Sequence, residues 1–334
     1  MKRDLRVLAA GSLSLALFAA DAALAQKAGG ILRIGHFDSP ASVSMLEEST
    51  AAVNRPMMSV FNNLVLYDQH VPQNSPKSIV PELATSWAWN EEGTELTLPL
   101  RQGVKWHDGK PFTATDVRCT FELLQGTAKE KLRINPRKSW FNNLSEVTTK
   151  GDHEVTFHLK QPQASFLAML ATGWTPMYPC HVSPAQMRLH PIGTGPFKFV
   201  EFKPNQSITV ARNPDYWKPG RPYLDGIEWT IIKDVSTRLL AFMAGQTDFY
   251  PAVTMPQLKD VRSQRPEAVC EMYSANVSRN MIVNRSAPPF DNPNLRRAMS
   301  LSIDRKVFND IINRGRDCAG APASAQIPLT SNWC

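Results

Sequence analysis

The hydrophobic pattern of this chain switches repeatedly between two periods. Alternation marks the strands. Leu96, Leu98 and Leu100 alternate with Thr97 and Pro99, and Val155, Phe157 and Leu159 alternate with Thr156, His158 and Lys160. Successive strand side chains point to opposite faces, so each run has one apolar face. Proline cannot donate to a strand ladder, so Pro99 predicts that the first of these runs lies at a sheet edge. Ile31 to Gly35 and Ile227, Trp229 and Ile231 read as two further strands, and Trp87 to Gly93 as a strand entering a turn. Trp106-His107-Asp108-Gly109 predicts a tight turn with Gly109 at positive φ.

A helical period governs other stretches. Thr113 and Asp116 form a capping-box pattern, and Val117, Phe121 and Leu124 then fall on one face. Val235 to Gly245 predicts a helix stopped by its glycine. Asp248-Phe249-Tyr250 follows at once, as at a helix-to-strand junction. Pro56 to Val65 predicts a helix with Met57, Val60, Phe61 and Leu64 on one side, and Leu295 to Ile312 another, opened by Pro293-Asn294. Strand pairs and helix-strand units mixed in this way predict an α/β chain with more than one sheet. No repeat period is present.

The first 25 residues change the picture of where the protein works. Lys2, Arg3 and Arg6 precede a short apolar run from Val7 to Ala20, and Ala23-Leu24-Ala25 supplies a small-x-small cleavage pattern. This reads as a signal peptide cut after Ala25, with export to the periplasm. No cysteine sits beside that site to carry a lipid. The 26 prolines favour loops and edge strands over long helices. The formal charge of +7 is spread over scattered bases such as Lys129, Lys131, Arg133, Arg137 and Lys138, without the aromatic interleaving of a nucleic-acid surface. Five cysteines are an odd number. Cys119, inside the predicted helix, reads as a small buried hydrophobe, and the pairing of Cys180, Cys270, Cys318 and Cys334 stays open.

Catalytic and metal-binding patterns are missing. Gly193-Thr194-Gly195 lacks the third glycine of a dinucleotide fingerprint, and reads instead as a rigid crossing where backbone meets backbone. The part after residue 25 contains no GxSxG and no HExxH, and His153 and His158 are spaced wrongly for one metal ion. No catalytic residue, cofactor or metal is predicted, and the chain does not read as an enzyme. Eight tryptophans and six tyrosines, many beside glycine or proline, suit either a core or an apolar-lined cleft.

Four blocks carry a family likeness: PELATSW (Pro81–Trp87), LRQGVKWHDGKPFTATDV (Leu100–Val117), the stretch from GTGPF at Gly193 through NPDYW at Asn213–Trp217 to Asp225, and PFDNP…RRA…SIDR from Pro289 to Arg305. In this order they resemble the bacterial extracytoplasmic solute-binding proteins of family 5, the peptide and nickel receptors of ABC importers. The resemblance implies a periplasmic-binding-protein type II-like fold, with two lobes that close on ligand and an additional domain. It places residues 26–60 and 180–280 in the first lobe, 61–179 in the extra domain and 281–334 at the start of a second lobe that is largely missing. It implies a monomer that passes peptides or another small solute to an inner-membrane ABC permease. By position in such a fold, His36, Phe37, Asp38, Trp140, Tyr250 and Asn284 are the expected ligand contacts. A receptor for a nickel chelate, opine or oligosaccharide, or a truncated chain that binds nothing, are the alternatives.

Overall fold

A computed structural model of the chain describes residues 28–304, except 72, 252, 254 and 272–281, together with residue 307. The expected leader, Cys318 and Cys334 lie outside the described residues. In chain order the strands are β1 (Ile31–His36), β2 (Val65–Tyr67), β3 (Ile79–Pro81), β4 (Ala88–Trp89), β5 (Glu95–Pro99), β6 (Leu144–Thr149), β7 (Glu154–Leu159), β8 (Phe197–Lys203), β9 (Ser207–Arg212) and β10 (Gly226–Ile231). The α-helices are α1 (Ala51–Met57), α2 (Ala114–Gln125), α3 (Phe166–Leu170), α4 (Pro184–Met187), α5 (Val235–Met243), α6 (Met255–Gln264) and α7 (Pro293–Ser302).

Two four-stranded sheets organise the molecule. The first has the order β1-β10-β9-β8, with β1 and β10 parallel and the others antiparallel. After β10, α5 crosses over and returns the chain beside β1, where Phe249 bridges Ile34 in parallel. Gly245 ends that crossover at φ 71°, as its position predicts. The second sheet is antiparallel, in the order β4-β5-β7-β6, with α2 packed on it. A short β2–β3 pair lies between them in sequence. One hydrophobic core runs through both sheets, from Val43 through Phe121 and Phe157 to Trp229. Phe121 sets its ring edge-to-face against Phe141 and Phe157, with centroids 5.2 and 4.8 Å away.

Most sequence-predicted elements stand where expected, and three differ; one is the helix expected from Leu295 to Ile312, which closes at Ser302 with Ile303 extended, the residues after 307 lying outside those described. The helix expected over residues 56–65 is displaced: α1 covers residues 51–57, and the chain straightens into β2 at Val65. Pro56 does not open the helix but sits near its end. It has no N–H to give the carbonyl of Ala52 four residues earlier, so the helix stops a residue later. Met57 at the end of α1, and Val60, Phe61 and Leu64 on the irregular chain after it, are buried all the same. β5 is not an edge strand, since it lies between β4 and β7; Pro99 sits at its end, past the two residues that β4 covers.

Cys119 is not a free core residue. It forms a disulfide with Cys180. Cys180 N–H donates to Asp116 Oδ1 (2.8 Å) and Tyr178 N–H to Thr120 Oγ1 (2.9 Å), which lays residues 178–180 along the flank of α2. Closing a loop between residues 61 apart restricts the unfolded chain, an effect of about 4 kcal/mol in the chain-entropy account. Cys270 is free and half-buried.

Candidate functional site

The carboxyl ends of parallel strands are where open α/β sheets place ligands, because crossover helices leave a crevice there. In the first sheet this rim is formed by three segments. His36 and Ile231 end β1 and β10 in register, and Ile232 N–H donates to the His36 carbonyl at 2.8 Å. The third segment is Phe249-Tyr250, held beside β1 by the Asp248 N–H on the Arg33 carbonyl (2.7 Å) and the Arg33–Asp248 ion pair (2.8 Å).

Phe37 and Asp38 lie on this rim, half-buried and exposed respectively. The guanidinium of Arg55, from the last turn of α1, rests 5.2 Å from the Phe37 ring centroid. Asp38 faces Lys233 at 3.5 Å, and its carboxylate also accepts the Ser39 N–H at 2.8 Å. Asp234 is occupied as the N-cap of α5, accepting from Thr237 N–H and Oγ1–H at 2.7 Å each. Arg238 arches beneath, its guanidinium donating to the carbonyls of Ile232 (2.5 Å) and Lys233 (3.2 Å). Gly35 makes this possible: a Cβ there would stand 2.8 Å from Arg238 Cγ.

The remaining expected residues divide. His36 is 2% exposed, and its Nε2–H donates to the Ala52 carbonyl at 2.9 Å. That is the carbonyl Pro56 cannot serve, so the imidazole replaces a missing helix donor and is framework, not rim. Burial holds its pKa below the usual histidine value, against the opposing pull of the Ala52 carbonyl. Tyr250 is also buried, stacked on Phe242 of α5 with ring centroids 6.0 Å apart, while its neighbour Phe249 is half exposed. Trp140 is 40% exposed, in the 3-10 turn Lys138–Phe141 against α2. No hydrogen bond or ring contact among the described residues joins it to the rim. Arg137, three residues earlier, donates to the carbonyls of Met45 and Glu48. Asn284 is exposed in a turn and accepts the Ser286 N–H at 3.1 Å. Arg55 and Lys233 were missed by the sequence reading; their places opposite Phe37 and Asp38 are tertiary contacts with no local signature.

The family motifs converge elsewhere, on Asn62. Its Nδ2–H donates to Glu82 Oε1 (2.6 Å) and Tyr216 Oη (3.3 Å), and its Oδ1 accepts from Thr194 Oγ1–H (3.0 Å) and Trp217 Nε1–H (3.3 Å). Lys218 Nζ donates to Glu82 Oε2 at 2.6 Å, and Arg101 lies over the Trp217 ring at 4.5 Å. Burial raises the Glu82 pKa while Lys218 and Asn62 oppose the shift. The GTG segment crosses the backbone of Val60 as its composition predicts. A Cβ on Gly193 would meet Val60 O at 1.9 Å, and one on Gly195 would meet the same carbonyl at 2.5 Å. His107 bridges the two glycines, its Nδ1 accepting from Gly193 N–H (3.3 Å) and its Nε2–H donating to the Gly195 carbonyl (3.0 Å). Burial drives its pKa down to about 4.

Two grooves, of about 500 Å³ between α2 and β6 and about 240 Å³ around His107, His190 and Phe199, contain no rim residue. No cluster of metal-binding side chains and no membrane-spanning helix occurs among the described residues.

Comparison with solved structures places this architecture among the periplasmic binding proteins. The oligopeptide-binding protein AppA of Bacillus subtilis, solved with a nonapeptide, superposes with a TM-score of 0.71 at 26% identity, covering 86% of this chain and 56% of that one. Residues 78–333 match the bacterial extracellular solute-binding proteins, family 5 middle, and the chain belongs to that family. Heme-binding protein A of Haemophilus influenzae is 27% identical over 310 residues, or 86% of this chain and 55% of that protein. A glutathione-binding protein of Escherichia coli O157:H7 is 28% identical over 254 residues, or 74% and 47%. The chain thus spans about half the length of these relatives.

Proposed function

We propose that the chain is the solute-binding component of an ABC importer, working in the periplasm after removal of a leader at Ala25 and delivering peptides to an inner-membrane permease. The observation that carries this is the rim itself: in a chain of this family, an aromatic side chain and a set of opposed charges gather at the carboxyl ends of parallel strands. Phe37, Asp38, Lys233 and Arg55 contact the ligand, while His36 and Tyr250 hold the rim from below. Trp140 and Asn284 contact the ligand from outside the rim. Residues 26–60 and 180–280 form the first lobe and 61–179 the extra domain, with 281 onward beginning the second lobe. Strand ends offer backbone groups that bind an extended peptide without reading its side chains. Closure then follows from ligand contacts that only the closed form makes.

Titration calorimetry with di-, tri- and octapeptides tests this, with saturable heat expected for at least one length class. Silence from every peptide would sink the peptide assignment. Heme-binding protein A favours a second reading, a receptor of the same fold for a non-peptide solute. Heat with heme or a nickel chelate, and none with peptides, would select it.

A further inference from the structure

We propose that Arg55 is the carboxylate-binding group of the ligand site, so that the ligand end lying over Phe37 is anionic. This rests on the solute-binding reading and adds the chemistry of one end of the ligand. The inference comes from accounting for every charged group at the rim. Asp38 and Lys233 face each other and cancel. Asp234 is consumed in capping α5, and Arg238 in holding two carbonyls of the β10 end. Arg33 and Asp248 pair on the third segment. Arg55 is left. It is exposed and has no carboxylate or carbonyl acceptor among the described residues; its ring contact there is with Phe37.

That contact matters for recognition. A guanidinium placed over an aromatic ring is attracted by the ring's face, and that contact uses none of its N–H donors. Those donors form a planar fork that matches a carboxylate in two parallel hydrogen bonds. The stack also limits the side-chain freedom lost when a ligand binds. Simple favourable placement of a cation at the end of α1 would explain a basic residue there but not its place over the Phe37 ring. A lysine would satisfy the helix end equally and would lack the fork.

The test uses the whole chain and a mixed-sequence tripeptide pool in two forms, free acid and C-terminal amide, with native mass spectrometry reading which form is captured. The expected preference for the free acid is about tenfold, the scale of a charge-assisted hydrogen bond. Arg55→Gln brings that ratio close to one, and Arg55→Lys leaves it intermediate. Because Arg55 is exposed, both variants should melt with the parent, which shows that the change is not a folding defect. No acid-over-amide preference in the parent, or a preference that survives Arg55→Gln, overturns the inference while leaving peptide binding in place. Capture of neither form overturns the peptide reading and this inference together.

Discussion

The Asn62 centre and the strand-end rim are built from similar side chains used in opposite ways. At the centre, one asparagine has four partners, a carboxylate and a lysine meet at 2.6 Å, and three of the family motifs interlock. At the rim, a carboxylate and a lysine meet at 3.5 Å with both more than half exposed, and an arginine rests on a phenylalanine. Groups that satisfy one another completely have nothing left for a ligand. The rim groups are more exposed and less tightly paired, as the proposed ligand site requires. The motifs that identify the family therefore identify its scaffold, and the ligand must be sought where the motifs are silent.

The largest expected effect lies at the centre. Gly193→Ala puts a methyl group against the Val60 carbonyl at 1.9 Å, a clash with backbone that no rotamer relieves. The variant is expected to lose about 4 kcal/mol or more, on the scale of severe overpacking, read as a collapsed urea midpoint. A midpoint close to the parent would show that the GTG crossing is slack and would remove the contrast between the two regions. Lys218→Ala comes next. It leaves the Glu82 carboxylate, 5% exposed, without its cation, at a cost of about 3 kcal/mol at neutral pH. Because burial already raises the Glu82 pKa, that deficit should narrow on acidification as the carboxyl takes up a proton.

His107 gives a third test through pH. Its folded pKa of about 4 is below the ordinary 6.5, so between these values the unfolded chain binds the extra proton and the folded chain does not. Stability rises with pH wherever the unfolded state holds more protons, so it falls as the solution is acidified from 6.5 to 4. The loss is on the order of 3 kcal/mol, since each pKa unit is worth about 1.4 kcal/mol. Protonation also removes the acceptor for the Gly193 N–H. His107→Gln should flatten the slope, measured by urea titrations across that range; an unchanged slope would assign the acid sensitivity to other groups, His36 first.

How much of this was legible in the sequence follows the same division. The glycines of the GTG crossing, the capping box at Thr113, where the backbone N–H reaches Asp116 at 2.9 Å, and the stop at Gly245 are local rules and could be read directly. The displaced α1 was misread because Met57, Val60, Phe61 and Leu64 keep helical spacing although three of them pack from irregular chain. Pro56 explains both that error and the burial of His36, since a proline four residues after Ala52 frees the carbonyl that the imidazole fills. The disulfide could not be read because Cys119 and Cys180, 61 positions apart, are brought together by Asp116 and Thr120 binding Cys180 and Tyr178 from 64 and 58 positions away. At the rim, their place just after β1 was legible for Phe37 and Asp38. Only the folded chain brings Arg55 and Lys233 to them.

The smallest expected effect on stability is the most informative about function. Lys233→Ala removes an ion pair of the same chemistry as Lys218–Glu82, but one whose partners are 60% and 53% exposed. Solvent already screens such a pair, so its loss should cost about 0.5 kcal/mol or less. Its removal leaves Asp38 as an uncompensated carboxylate on the rim. The balance of charge there shifts negative, so a ligand whose anionic end lies on this rim should bind more weakly and a cationic one more tightly. Melting temperature and calorimetric affinity measured on the same samples separate the two regions: Lys218→Ala should move the first strongly, and Lys233→Ala the second alone. If Lys233→Ala destabilises the fold as much as Lys218→Ala does, the rim is scaffold like the centre, and the ligand site must be placed on other elements.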